Sequence, residues 1–143
     1  MSIYKGRMML SIVSTEFLLK NTIALTTSII TNINFIRSYK LYDDELNKIF
    51  IECDILSDIG IIKSYIDEHS KSQSPTFQVS LQNLLETLGY LENEIQKLTT
   101  KIREHNQKWF SGYRSYDIVE EKKRIFVLMN QMNHRFDMLL KIK

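Results

Sequence analysis

The sequence predicts an all-α fold, a four-helix bundle with mainly antiparallel helices, and three observations support this prediction. At 143 residues with a hydrophobic fraction of 43%, the chain is long enough for one domain with a moderate core, over residues 1–143. Its four glycines and one proline are too few for a turn-rich β-fold. Third, ten positions recur at alternating steps of four and three residues, the spacing of one face of a long helix. They are Phe77, Leu81, Leu84, Leu88, Leu91, Ile95, Leu98, Ile102, His105 and Trp109.

The first helix is predicted to begin within residues 8–14 and to run to Tyr39. Its apolar side chains spread over more than one face, which is typical of a central, buried helix. Its many Thr and Ile residues are weak helix formers, so tertiary packing must hold it. The stretch 17–36 is long enough to cross a bilayer, but Lys20 and Asn21 within it argue against a constitutive membrane span.

The second helix is predicted to open at Asp43 or Asp44, because acidic residues favour the positive N-terminus of a helix. The polar run 69–74 is a linker. Pro75 then fits the first position of the third helix, with Ser74 as its cap. The apolar stripe of the second helix consists of Leu46, Ile49, Phe50, Cys53, Leu56, Ile59 and Ile66.

The third helix carries the heptad positions to about Trp109, and the stretch 111–116 interrupts the pattern. A fourth helix follows, and short connections between helices predict antiparallel neighbours. Its expected stripe consists of Ile118, Ile125, Leu128, Met132, Phe136 and Leu139.

Charge is distributed unevenly although the net charge is only +2. Residues 1–42 carry a net +4, residues 43–71 a net −5 and residues 97–143 a net +6. Attraction between an acidic second helix and its basic neighbours explains this pattern, and so does an anionic membrane facing the basic ends. The basic run 122–124 follows two glutamates, and mixed signs at that spacing are typical of a solvated face, so no nucleic-acid partner is expected.

Chemical motifs are absent from the sequence. His69, His105 and His134 are scattered, no Glu precedes a His by three positions, and the four glycines stand far apart, so a metal site or a phosphate-binding loop is not expected. We expect no enzyme activity, no catalytic residue, no cofactor and no small-molecule substrate. The single cysteine, Cys53, cannot form an internal disulfide, which favours a reducing, cytoplasmic location.

The order of these parts resembles a known group of domains. An apolar helix rich in Thr and Ile precedes an acidic helix, a long Leu-heptad helix ending in Trp109-Phe110, and a last helix after an aromatic loop. This arrangement is similar to the HeLo and HeLo-like four-helix domains of fungal cell-death and STAND-type proteins, and to the N-terminal bundle of mixed-lineage-kinase-like necroptosis effectors. The best-matching residues are Leu84, Leu85, Leu88, Leu91, Glu92, Ile95, Leu98, Trp109, Tyr113, Leu128 and Met132.

The resemblance implies a regulated cell-death effector that oligomerises and perturbs membranes through its N-terminal helix, recruited from the cytoplasm to a membrane. Basic residues would attract anionic headgroups, and apolar residues would contact lipid. The basic set implied by the resemblance is Lys5, Arg7, Lys20, Arg37 and Lys40. The apolar set is Phe17, Leu18, Leu19, Ile23, Leu25, Ile29, Ile30, Ile33 and Ile36.

Two other functions fit the same sequence. One is a protein–protein interaction module, adaptor or regulatory, that docks a helical protein partner without any membrane role. The other is a virally encoded inhibitor of host death or immune signalling, which the Ile-, Lys- and Asn-rich composition suits, although the helix–Gly–Arg signature of Bcl-2 relatives is missing. Self-association is expected as well, because heptad positions can pack between chains as readily as within one.

Overall fold

The computed structural model describes residues 15–38, 50, 54–68, 74–107 and 118–142. Four α-helices account for nearly all of these residues, and the described ranges contain no strand, so the predicted all-α four-helix fold is confirmed. The predicted start of the second helix at Asp43 or Asp44 lies outside the described residues, as do Trp109 and Tyr113. The helices are α1 (Thr15–Arg37), α2 (Ile55–Glu68), α3 (Pro75–Gln107) and α4 (Val119–Leu140).

The long helix α3 packs against α1 on one side and α4 on the other, while α2 packs mainly against α1 and only lightly against α4. Helix α3 begins where the sequence predicts. Pro75 is its first residue, and the Phe77 backbone N–H donates to the Ser74 hydroxyl at 3.4 Å, the geometry of an N-cap. The turn closes with the Gln78 N–H donating to the Ser74 carbonyl at 3.0 Å.

Helix directions follow from contacts between side chains. Gln78 near the start of α3 bonds Thr15 at the start of α1, and Arg103 near the end of α3 stacks on Phe35 near the end of α1. Helices α1 and α3 are therefore parallel. Consecutive helices α3 and α4 are antiparallel, because the end of α3 meets the start of α4 through an ion pair between Lys101 and Glu121.

The heptad positions of α3 face inward as the spacing predicts. Every position from Phe77 to His105 is at most 5% exposed. The buried residues of the other helices repeat the same alternation of four- and three-residue steps, so the bundle packs in the coiled-coil manner. These residues are Thr15, Leu19, Thr22, Thr26, Ile29, Ile33 and Ile36 of α1; Ile55, Ile59, Ile62 and Ile66 of α2; and Ile118, Lys122, Ile125, Met129, Met132, Phe136 and Leu139 of α4.

Helix α1 differs from the predicted helix that is apolar on nearly all sides. Phe17 is 57% exposed, whereas Thr22 and Thr26 are fully buried. Their hydroxyls donate to carbonyls of the same helix, at 2.7 Å and 2.8 Å, which satisfies them without a partner from another helix. Buried threonine is therefore compatible with the core here, and α1 has one inward face rather than several.

Candidate functional site

The apolar residues assigned to lipid contact lie mostly inside the bundle. Ile29, Ile33 and Ile36 are fully buried, and Leu18 and Leu19 are nearly so. The rest of the apolar set pack, half-buried, against the same core, apart from Phe17, which is exposed; these half-buried residues are Ile23, Leu25 and Ile30. The structure thus gathers eight of the nine predicted residues on or beside one inward face of α1.

The basic residues assigned to headgroup contact are divided between described and undescribed parts of the chain. Lys20 and Arg37 are exposed near the two ends of α1. Lys5, Arg7 and Lys40 lie outside the described residues. Two cations therefore face solvent on the helix whose apolar side chains face the core.

Side-chain hydrogen bonds and a cation–π contact, rather than ion pairs, join α1 to α3 within the described ranges. Gln78 Nε2 donates to the Thr15 hydroxyl at 2.8 Å, and the Ser28 hydroxyl donates to Glu92 Oε1 at 3.0 Å. The Arg103 guanidinium lies 4.9 Å from the centre of the Phe35 ring, a cation–π contact. Within the described ranges, none of the charged side chains of α1, which are Glu16, Lys20 and Arg37, takes part in an ion pair.

Charged contacts join α3 to α4. Lys101 Nζ lies 2.5 Å from Glu121 Oε1, and Arg124 Nε lies 3.0 Å from Glu94 Oε2. Glu94 and Glu121 are both buried while their cationic partners are about half exposed. Hydrogen bonds to charged groups contribute about 1.5–3 kcal/mol each, more than neutral ones. The described ion pairs between helices thus lie between α3 and α4, and none lies between α1 and α3.

The same interface has a second connection toward the other end of α4. Arg135 donates to the Asn83 carbonyl and to the Thr87 hydroxyl, both at 2.7 Å. The Thr87 hydroxyl in turn donates to the Asn83 carbonyl at 3.2 Å. These bonds fix the register of α4 along α3 at a point remote from the ion pairs.

The pKa of the buried Glu121 depends on its charged partners. Burial by itself would raise the pKa of Glu121, but the hydrogen bond and charge of Lys101, with the charge of Arg124, outweigh it and lower the pKa below its ordinary value. The hydrogen bond to Glu94 raises the pKa of Arg124 above its ordinary value. Both groups are therefore charged at neutral pH.

An apolar groove of about 370 Å³ opens between α3 and α4. Tyr90, Val127 and Leu128 supply apolar walls, and Val127 is 53% exposed. Lys123 and Arg124 line the same groove, toward the N-terminus of α4. Glu94, the partner of Arg124, lines the groove as well, so charged side chains of both signs border its apolar walls.

Helix α2 presents a face that does not pack in the bundle. Ile61 and Glu68 are exposed and lie seven residues apart on the same side of α2, and the exposed Asp54 precedes the helix with a positive φ of 48°. Ile61 is 55% exposed and borders a shallow depression beside Gly60. The exposed Ile61 side chain thus shares its side of α2 with the Glu68 carboxylate.

Acidic side chains also meet where α2 approaches α4. Burial raises the pKa of Asp58, a hydrogen bond with Asn133 opposes that effect, and the charges of Asp54 and Asp137 add to the increase. Nearby, the rings of Tyr65 and Phe136 meet edge to face with centroids 5.6 Å apart. In the part of the chain that the structure describes, no group of three or more His, Cys, Asp or Glu side chains could hold a metal ion.

Sequence reasoning did not find the groove. Tyr90 and Val127 are exposed on different helices, and only the antiparallel packing of α3 on α4 brings them together. The run 122–124, expected to be a solvated face, is divided: Lys122 is buried, Arg124 pairs with Glu94, and Lys123 projects into solvent. The sequence signal that could have indicated the groove was the apolar character of Tyr90 and Val127, and the basic character of Lys123 and Arg124, at positions outside the buried stripes.

Comparison with known proteins gives no relative: no protein-family description, curated protein or solved structure matches this chain. No helix in the described ranges combines the length and the hydropathy needed to cross a membrane.

Proposed function

We propose that this chain is a membrane-perturbing effector of regulated cell death, held in the cytoplasm until a signal releases α1 from the bundle. The observation that supports this proposal is the contrast between the two sides of α3. Ion pairs hold α4, whereas the charged residues of α1 have no ion-pair partner within the described ranges. The resemblance to HeLo-like bundles points to the same helix.

Transfer of α1 from protein to lipid is physically reasonable because two of its three buried threonines, Thr22 and Thr26, have their partners within the helix, whereas Thr15 bonds Gln78 of α3. The hydroxyls of Thr22 and Thr26 bond carbonyls of α1 itself, so they keep those bonds when the helix leaves α3. The apolar face of α1 that packs on α3 in the bundle is the face that would contact the bilayer interface. The helix would lie in the interface plane rather than cross it, since its outer face is polar.

Exposed cations on α1 would strengthen the encounter with an anionic surface. Lys20 and Arg37 lie near opposite ends of the helix, about 25 Å apart along its axis. Each basic residue near an anionic membrane contributes about 1 kcal/mol. Because no ion pair within the described ranges engages them, their attraction to headgroups costs no internal contact.

Dye release from vesicles tests the proposal. We expect the protein to empty vesicles of phosphatidylcholine with phosphatidylserine and to spare vesicles of phosphatidylcholine alone. The Lys20→Glu and Arg37→Glu double variant should need at least about fivefold more protein for equal release. Lys141→Glu, a single charge reversal at an exposed site just after α4, is the control for the single variants Lys20→Glu and Arg37→Glu and should release dye almost as well as the wild type.

Substitutions of the buried face cannot serve in this assay. Ile29 is fully buried, so Ile29→Glu would place an unpaired charge in the core and unfold the bundle whether or not lipid matters. Reversals at exposed residues avoid that ambiguity. Vesicles that stay intact at every protein concentration would contradict the proposal.

One observation favours a second function, a protein–protein interaction module. The groove between α3 and α4 has half-exposed apolar walls, and such grooves accept helices. A protein that leaves all vesicles intact yet loses a binding activity on Val127→Asp would be such a module.

A further inference from the structure

Two exposed apolar side chains lie at the end of the bundle where α3 begins and α4 ends. Val79 of α3 is 60% exposed and Met138 of α4 is 48% exposed. Each lies eleven residues from a residue that lines the α3/α4 groove, Tyr90 in α3 and Val127 in α4. Because eleven residues bring a helix back to within about 20° of the same side, Val79 and Met138 continue the groove toward this end of the bundle.

The chain enters α1 at the same end of the bundle. Thr15, the first residue of α1, accepts a hydrogen bond from Gln78, which directly precedes Val79. Phe17, 57% exposed, lies eleven residues before Ser28, whose hydroxyl contacts α3, so Phe17 is on the side of α1 that borders α3. Three exposed apolar side chains thus form a row across α1, α3 and α4, here named the end row: Phe17, Val79 and Met138.

Residues 1–14 join the bundle beside the end row, because Thr15 follows them directly. Lys5 and Arg7 give this segment a net charge of +2, since it has no acidic residue. A stretch of five residues spans up to about 17 Å, which exceeds the distance of about 8–10 Å between neighbouring helices, so the apolar part of the segment can reach the row. Five of the six residues in the run 8–13 are apolar: Met8, Met9, Leu10, Ile12 and Val13.

A carboxylate on α3 lies close to the end row. Glu86 is exposed and lies seven residues after Val79, about 10 Å along the same side of the helix. Within the described ranges Glu86 takes part in no ion pair, and it accepts a hydrogen bond from the Tyr90 hydroxyl at 3.4 Å. Glu94, farther along α3, differs because Arg124 and Lys97 already contact it. The charge of Glu86 therefore suits a cation from outside the described helices.

We infer that residues 1–14 bind back over the end row of their own molecule. Apolar side chains of the run 8–13 would cover Val79 and Met138, and Lys5 or Arg7 would pair with Glu86. Because the segment is attached to α1, its effective concentration at the row is on the order of millimolar, so a few apolar contacts and one ion pair are enough to hold it. The segment would then tie the first turn of α1 to α3 and α4. The inference does not depend on the proposed membrane activity, because it concerns protein without lipid.

Disulfide trapping in the full chain, without lipid, tests the inference. In a Cys53→Ser background, Leu10→Cys is combined with Val79→Cys in the end row or with Asp67→Cys as the control. A disulfide requires Cα atoms within about 7 Å of each other, so the rate of bridge formation reports where the segment binds. We expect the bridge to Val79→Cys to form at least about tenfold faster than the bridge to Asp67→Cys, within a single molecule.

The control position lies at the same end of the bundle but on a different helix. Contacts of α2 with α4 advance together along both helices, first Asp58 with Asn133 and then Tyr65 with Phe136, so α2 ends where α4 ends. Asp67 is exposed in the last turn of α2, which packs on α1. A segment that does not bind the end row would therefore meet Asp67→Cys about as often as Val79→Cys.

Charge reversal on α3 gives a second test. In the protein with Leu10→Cys and Val79→Cys, Glu86→Lys should slow bridge formation at least about threefold, and added salt should slow it as well, because the ion pair contributes to binding. Glu104→Lys is the matched control, since Glu104 is exposed on the same side of α3 but eighteen residues farther along, near the opposite end. It should leave the rate unchanged.

Three results would overturn the inference. Equal trapping rates at Val79→Cys and Asp67→Cys would mean that the segment does not bind the end row and that lipid or another protein covers it. Bridges formed only between two molecules would mean that a second copy covers it. A Glu86→Lys protein that is trapped as fast as Glu104→Lys would exclude the ion pair. Circular dichroism establishes that each variant is folded, and Met138→Cys replaces Val79→Cys if that variant is not.

Discussion

Lys101 and Glu121 form a 2.5 Å ion pair across the interface of α3 and α4, with the carboxylate buried and the ammonium half exposed. Arg124 lies 4.0 Å from the same carboxylate and 3.0 Å from Glu94, and Lys97 lies 3.5 Å from Glu94, so these five side chains form one network. The described contacts between α1 and α3 include no ion pair: Thr15 and Gln78 form a neutral bond, and Ser28 donates to the Glu92 carboxylate. Ion pairs thus join α4 to α3, whereas side-chain hydrogen bonds join α1 to α3.

The difference between the two interfaces affects what is lost when α1 or α4 separates from α3. Separating α4 from α3 would expose two buried glutamates and break charged bonds, each contributing about 1.5–3 kcal/mol. Separating α1 breaks the Thr15–Gln78 bond, the bond from Ser28 to the Glu92 carboxylate and the Arg103–Phe35 contact, and it exposes apolar surface that lipid can cover again. A membrane therefore offsets most of what α1 loses, but it cannot replace the partners of α4.

Replacement of the buried carboxylate should destabilise the fold. We expect Glu121→Gln to lower the free energy of unfolding by about 1–3 kcal/mol at pH 7, because the amide keeps the shape but loses the charge that pairs with Lys101. Urea unfolding followed by circular dichroism measures it. Glu120→Gln, at the exposed neighbouring position, is the control and should change little.

The same pair predicts a pH dependence. The pKa of Glu121 is lowered in the fold, so its contribution is complete above the ordinary glutamate value of about 4.3 and is lost as the pH falls through the lowered value. The stability difference between wild type and Glu121→Gln should therefore shrink in acid. A difference that persists unchanged to pH 2 would contradict this assignment.

For Asp58 we expect the opposite pH dependence of stability. Burial and the charges of Asp54 and Asp137 raise its pKa, so its ionised form is disfavoured in the fold, and stability falls as the pH rises through that raised pKa. Asp58→Asn should raise the free energy of unfolding at pH 7 by about 0.5 kcal/mol after allowance for solvent screening. The amide can still accept the bond from Asn133. Melting curves at pH 7 and pH 3 should show the gain only at the higher pH.

Alanine substitutions at one buried and one exposed isoleucine should have different effects on the free energy of unfolding. Ile33→Ala leaves a cavity in the core between α1 and its neighbours and should lower the free energy of unfolding by about 2–4 kcal/mol. Ile61→Ala, on the outer face of α2, should cost less than about 0.5 kcal/mol in dilute protein. Equal losses for the two variants in urea titrations would mean that α1 is not packed as described.

The heptad spacing predicted the core of α3 because alternation of four and three residues leaves a single orientation for one face of a helix. Phe77 and His105 mark the ends of that prediction within the described residues, and both are buried. In α4 the expected Leu128 is only half-buried, and Met129, one position on, is fully buried instead. A shift of one residue turns a helix by about 100°, which composition alone does not resolve.

The inward face of α1 was harder to predict because polarity misleads there. Thr22 is fully buried and Phe17 is exposed, the reverse of their hydropathy. Intrahelical bonding of the threonine hydroxyl is what permits this exchange, and it depends on the helix being formed. The groove could not be predicted at all, since Tyr90 and Val127 meet only after α3 and α4 have packed.

The central claim is that α1 must leave α3 for the protein to act on membranes, and a reversible tether tests it. Ser28 and Glu92 are in hydrogen-bond contact, so cysteines at both positions, in a Cys53→Ser background, can be joined by a short reducible cross-linker. The single Ser28→Cys protein treated with the same reagent is the control.

We expect the tethered protein to release no dye from phosphatidylserine vesicles, and a reductant to restore release to the level of the control. If the tethered protein releases dye as fast as the control, α1 stays on α3 during activity and the account is wrong.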